Sequence, residues 1–150
     1  MFKKILVPLD FSASSELSVR VAEDLARANA GALILLHVHE PIMGGDGELL
    51  APFPLDEAPE FDLRLEAVKA DLVREGRVPV EARCRVGSAA SEIMSLAREE
   101  GADLIVMGTH GRTGFKHLIL GSVAERVVRK APCPVLTLRA PDPGWATLVL

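Results

Sequence analysis

Four residues are placed to do chemistry: Gly108, Gly111, Gly121 and Ser122. Glycine leaves the backbone free for tight turns and positive φ, and without a Cβ its N–H can approach a ligand closely. Backbone amides gathered in this way suit an anion, above all a phosphate. Arg112 and Lys116 add positive charge to the same stretch, and no acid lies between Gly108 and Gly121. Arg112 can take a phosphate through two parallel hydrogen bonds. From Gly108 to Lys130 there are five basic residues and one acid, a local +4 in a chain of net charge −4.

Ser122 has two readings. It stands where a last helix begins, and the unsatisfied N–H groups and dipole of a helix N-terminus attract phosphate. Ser122-Val123-Ala124-Glu125 also fits a capping box, with Ser122 as cap and Glu125 closing back onto its N–H. Other phosphate motifs are absent: neither G-x-x-x-x-G-K-[ST] nor G-x-G-x-x-G occurs. No G-x-S-x-G elbow supports a serine hydrolase. His37 and His39 share one face of a strand, but no cysteine or carboxylate set completes a zinc site with them, so no metal is assigned to protein side chains. His110 and His117 fall near the phosphate segment.

The elements that must position these residues alternate. Ile5-Leu6-Val7, Ala32 to Leu36 with Val38, and Leu104 to Met107 are continuous aliphatic runs, the mark of parallel strands buried on both faces. Between and beyond them lie helical repeats. These are Leu17, Val21, Leu25 and Ala28; Phe61, Leu65, Val68 and Leu72; Ile93, Leu96 and Ala97 after a Ser88 N-cap; and Val123, Val127 and Val128. The order is β-α-β-α-β-α-β-α-β, which predicts parallel strands with helices on both faces. Val78 to Val86 alternates apolar with charged residues and contains Pro79, so it reads as a defended edge strand. Val135 to Leu138 lacks that protection and is expected to pair with its copy in a homodimer, unless the C-terminal tail covers it. Pro41 to Pro59, rich in glycine and proline, reads as one long irregular loop.

Composition narrows the class. The 150 residues suit one domain, and 49% hydrophobic with 25% charged residues is a globular balance. The acidic net charge and 4% aromatic content disfavour nucleic acid and a polybasic membrane role. Cys84 and Cys133 lack metal-like spacing and read as reduced thiols. No apolar run suits a signal peptide or a membrane span, so a cytoplasmic location is expected.

At Gly108-x-x-Gly111, nine residues, then Gly121-Ser122, the chain resembles the ATP-binding branch of the universal stress protein family. Ala102 to Gly108, Leu120 to Val127, Ala131 to Leu136 and the opening Ile5 to Asp10 resemble the flanks of that motif. The resemblance covers residues 1–139 and leaves a tail, 140–150, without a role. It implies an α/β fold with an open five-stranded parallel sheet of order 3-2-1-4-5, Rossmann-like and similar to the adenine nucleotide alpha hydrolases. It implies ATP, with Mg²⁺, at the switch point between the first and fourth strands. By position, Pro8, Leu9 and Asp10 would border the adenosine and Val38 would meet adenine through its backbone. Met107 and Gly108 would line the ribose side, and Gly111, Arg112, Gly121, Ser122 and Val123 would surround the phosphates. Asp10 can also be read as an N-terminal helix charge beside Ser12. The implied role is nucleotide-responsive regulation in stress adaptation, through a downstream protein the sequence does not name. No catalytic residue is assigned. The alternatives are a slow Mg-dependent ATPase and a dimeric interaction protein that binds no nucleotide.

Overall fold

A computed structural model describes residues 1–46, 48–52, 58–76, 78–110 and 120–140. The central strands are β1 (Lys4–Pro8), β2 (Ala32–His39) and β6 (Leu104–Gly108). Ile5, Leu6, Val7, Leu33, Leu35, Leu36, Ile105 and Val106 in these strands are completely buried, as the continuous aliphatic runs require. β5 (Val80–Val86) and β7 (Val135–Leu138) complete one sheet of order β5-β2-β1-β6-β7. All its pairings are parallel. Counted as five main strands, the order is 3-2-1-4-5, as expected.

Successive strand residues point to opposite faces, and each face has its own core. Ile5, Val7, Leu33, Leu35 and Val106 pack with Val19 and Ala22 of α1 (Ala13–Asn29) and with Leu65 and Leu72 of α2 (Ala58–Glu75). Leu6, Ile34, Leu36 and Ile105 pack with Ile93 and Leu96 of α3 (Ala89–Glu100) and with Val127 of α4 (Ser122–Lys130). Right-handed crossovers that leave β1 in one direction and β6 in the other put the two helix pairs on opposite faces. The reversal opens a crevice at the carboxyl ends of β1 and β6.

Two local expectations change. The stretch after Pro41 is not wholly irregular: β3 (Ile42–Met43) and β4 (Leu49–Ala51) pair antiparallel, and α2 already starts at Ala58. The apolar face of β5 is also shorter than its alternation implies. Val80 and Ala82 pack against the core, whereas Cys84 and Val86 are exposed. Among the described residues, no helix is long and apolar enough to cross a membrane.

Candidate nucleotide site

A cleft of about 530 Å³ opens at the carboxyl edge of the sheet, within the range of small-molecule sites. Its walls include the first residues of three helices: Ser12 and Ser15 at α1, Ala89 at α3, and Ser122 to Ala124 at α4. Helix N-termini carry partial positive charge, so three of them facing one cleft favour an anion there.

Two of these termini are satisfied by the protein. At α1 the Ser12 hydroxyl accepts from the Ser15 N–H at 3.3 Å, and Asp10 Oδ1 accepts from the Ser12 N–H at 3.0 Å. Asp10 therefore fills the helix-charge role and also lines the cleft. Between them Phe11 has φ 61°, a left-handed backbone that turns the chain sharply from β1 into α1. At α3, Ser88 occupies the N-cap position without a side-chain cap bond. Glu40, just beyond β2, instead accepts from the Ala89 N–H at 2.7 Å.

The third terminus differs. Gly121, not Ser122, is the N-cap of α4, and among the described residues no side chain caps this end. The capping box does not form: Glu125 Oε1 pairs with Arg129 at 2.7 Å, and Ser122 is the first helical residue. Ser122, Val123 and Ala124 of α4's first turn thus line the cleft, and among the described residues no side chain caps them.

Gly108 and Gly121 are needed for close approach rather than for positive φ, which neither adopts. A methyl group on Gly121 would lie 3.1 Å from the Thr109 carbonyl, to which the Gly121 N–H donates at 2.7 Å. That bond brings α4 up against the end of β6. A methyl group on Gly108 would lie 2.7 Å from Ser14 Cβ, so this glycine lets β6 seat against α1.

Of the residues expected at the site, Pro8, Leu9, Asp10, Val38, Met107, Gly108, Gly121, Ser122 and Val123 all line the cleft. Gly111, Arg112 and His117 lie outside the described residues, as does the tail from 141 onwards. The structure adds His37, Glu40, Thr109 and His110 to the lining. His37 Nδ1 lies 2.7 Å from the Leu9 carbonyl, which can only accept, so Nδ1 carries the proton. Burial holds this imidazole below its usual pKa, only partly offset by that bond. Phe61 and Phe11 flank its ring, at 5.0 and 5.1 Å between centroids. A second arrangement was not anticipated: Asp62 and Cys84 come together with His39, so this histidine does have a carboxylate and a thiol beside it.

Comparison with known proteins identifies the family and the fold. The family model described as universal stress protein family matches residues 1–139. A universal stress protein of Thermus aquaticus, from the QAH/OAS sulfhydrylase 3′ region, is 40% identical over 141 residues, covering 93% of this chain and 100% of that one. A solved structure of a family protein from Burkholderia pseudomallei superposes with a TM-score of 0.72 at 32% identity, covering 93% of this chain and 97% of that one. A universal stress protein solved in complex with cAMP superposes with a TM-score of 0.69 at 27% identity, covering 92% and 97%. By sequence and by fold, this chain belongs to the universal stress protein family.

Proposed function

We propose that this protein binds ATP in the cleft and acts as a nucleotide-responsive regulatory module in stress adaptation. The observation that carries this reading is the α4 N-terminus, which lines the cleft with Gly121 at its head and is capped by no side chain among the described residues. Backbone amides there suit a phosphate group. The relative in complex with cAMP supports an adenine nucleotide as the ligand class. In this reading Pro8, Leu9 and Asp10 border the adenosine, Val38 meets adenine and Met107 lines the ribose side. Gly108 joins Met107 on the ribose side, and Gly121, Ser122 and Val123, joined by Gly111 and Arg112, serve the phosphates. Mg²⁺, when bound with the nucleotide, would neutralise phosphate charge. The protein's own part is to hold and orient.

Binding rather than turnover fits the acids lining the described part of the cleft. Asp10 and Glu40 each already accept a backbone N–H, from Ser12 and Ala89. The oxygen so engaged in each is less available as a base to activate water. Phosphate release at ordinary enzyme rates, about one per second or more, would contradict this. We further propose a homodimer through β7, which pairs only with β6 among the described residues. A monomeric mass in sedimentation at micromolar concentration would remove that part. A cytoplasmic location fits the free Cys84 and Cys133.

Thermal unfolding tests the binding. Ligand at a hundredfold excess over Kd stabilises by about 2.7 kcal/mol, a rise of several degrees in a chain of this length. ATP should give that rise in the wild type and none in Gly121→Val, each measured against its own ligand-free melting temperature. No ATP-dependent rise in the wild type would refute the reading.

A further inference from the structure

Outside the nucleotide cleft, three side chains of different chemistry converge under α2. His39 is the last residue of β2 and is 4% exposed. Asp62, in the first half of α2, meets it at 3.0 Å between Oδ1 and Nε2. Cys84 comes from the neighbouring edge strand β5, where it pairs in register with His37, one step along the same face from His39. One donor atom from each of His39, Asp62 and Cys84 lies within 4.8 Å of the other two.

We propose that His39, Asp62 and Cys84 form a binding site for a divalent transition metal of the zinc type, with a fourth position left to water. Imidazole, carboxylate and thiolate are the ligand types such an ion takes. In a tetrahedral site with metal–ligand bonds of about 2.0–2.3 Å, ligand atoms stand roughly 3.3–3.8 Å apart. The three donors are within about 1 Å of that spacing already. Carboxylate and thiolate together neutralise a dication, so the complex carries little net charge.

The frame is rigid where it must be. β2 and β5 are hydrogen-bonded neighbours, and the His39 ring is met edge-on by His37 at 4.8 Å between centroids. Phe61, beside Asp62 in α2, approaches the same ring at 6.1 Å. The other side is open, with the Asp62 side chain 49% exposed and Cys84 exposed. An open side suits an exchangeable ligand better than a closed structural site.

A nucleophilic role for the cysteine does not fit this cluster. Desolvation of the sulfur and the Asp62 carboxylate beside it push the Cys84 thiol up to about 12. That upward shift disfavours the free thiolate a nucleophile needs. The proposal is independent of the nucleotide reading, since none of its three donors lines the cleft.

The test is titration of chelator-stripped, full-length protein with Co²⁺. The expected result is one ion per chain, a near-ultraviolet thiolate-to-cobalt absorption, visible bands of tetrahedral strength, and displacement by Zn²⁺. Cys84→Ser should lose the thiolate band, while Cys133→Ser should keep it. Asp62→Asn should weaken Co²⁺ binding by about tenfold or more, which reads the same site without touching the cysteine should Cys84→Ser fold poorly. No thiolate band at excess Co²⁺ would overturn the site and leave His39 and Asp62 as an ordinary polar pair. So would a band that survives Cys84→Ser, or one that disappears in Cys133→Ser.

Discussion

A methyl group at Gly108 would stand 2.7 Å from Ser14 Cβ and 3.2 Å from the Ser14 carbonyl carbon. Part of that obstacle is backbone, so a rotamer change cannot relieve it. Gly108→Ala should cost about 1–3 kcal/mol, as overpacking does, measured as a lower urea midpoint in the ligand-free protein. An unchanged midpoint would mean that β6 and α1 separate freely, against the packing described. His37 gives a prediction in pH. Its imidazole is held below the usual value of 6.5, so the unfolded chain binds the extra proton more readily than the native one. The stability this group contributes is therefore fully present above pH 6.5 and is lost as pH falls from there through the depressed native value. The urea midpoint should fall from about pH 7 to about pH 5, and His37→Asn should flatten that fall. A slope identical in the two proteins would show that His37 is not the group responsible.

Among the elements, the helix starts explain most of the site. α1 is closed by Ser12 and Asp10, α3 by Glu40 just beyond β2, and α4 by no side chain among the described residues. Loss of an N-terminal cap costs about 0.5–2 kcal/mol. Glu40→Ala should lower unfolding stability by that amount, whereas Glu40→Gln, which keeps an acceptor oxygen, should restore most of it. Equal losses in both would point to charge rather than the hydrogen bond. The central strands and all four helices were legible in the sequence, because aliphatic runs and helical repeats are local signals. Glu40 was not legible as a cap, since it lies 49 residues from the N–H it serves. Nor did Ser122-Val123-Ala124-Glu125 distinguish a capping box from an open terminus. The choice depends on Glu125 turning to Arg129 and on Gly121 bonding to Thr109. The short β3–β4 hairpin was hidden by the glycines and prolines around it.

For the whole molecule, the strand order decides where function can sit. Reversal between β1 and β6 opens one crevice, and Gly108 and Gly121 of the glycine spacing line it. The lining residues Pro8, Leu9, Asp10 and Val38 were foreseeable only through family resemblance, because nothing local links them to Gly121. The cluster of His39, Asp62 and Cys84 was illegible for the same reason: three elements must pack before its donors meet. Two features of this one molecule therefore carry separate proposals, the cleft at the sheet's switch point and the cluster of His39, Asp62 and Cys84 beneath α2.

The most direct test of the central claim is a map of backbone amide chemical shifts in ¹⁵N-labelled protein as ATP is added. The account predicts the largest shifts at Gly121, Ser122 and Val123, with smaller ones at Val38 and Gly108 and little change along β5. Absence of shifts at the start of α4 under saturating ATP, or shifts concentrated elsewhere, would contradict it.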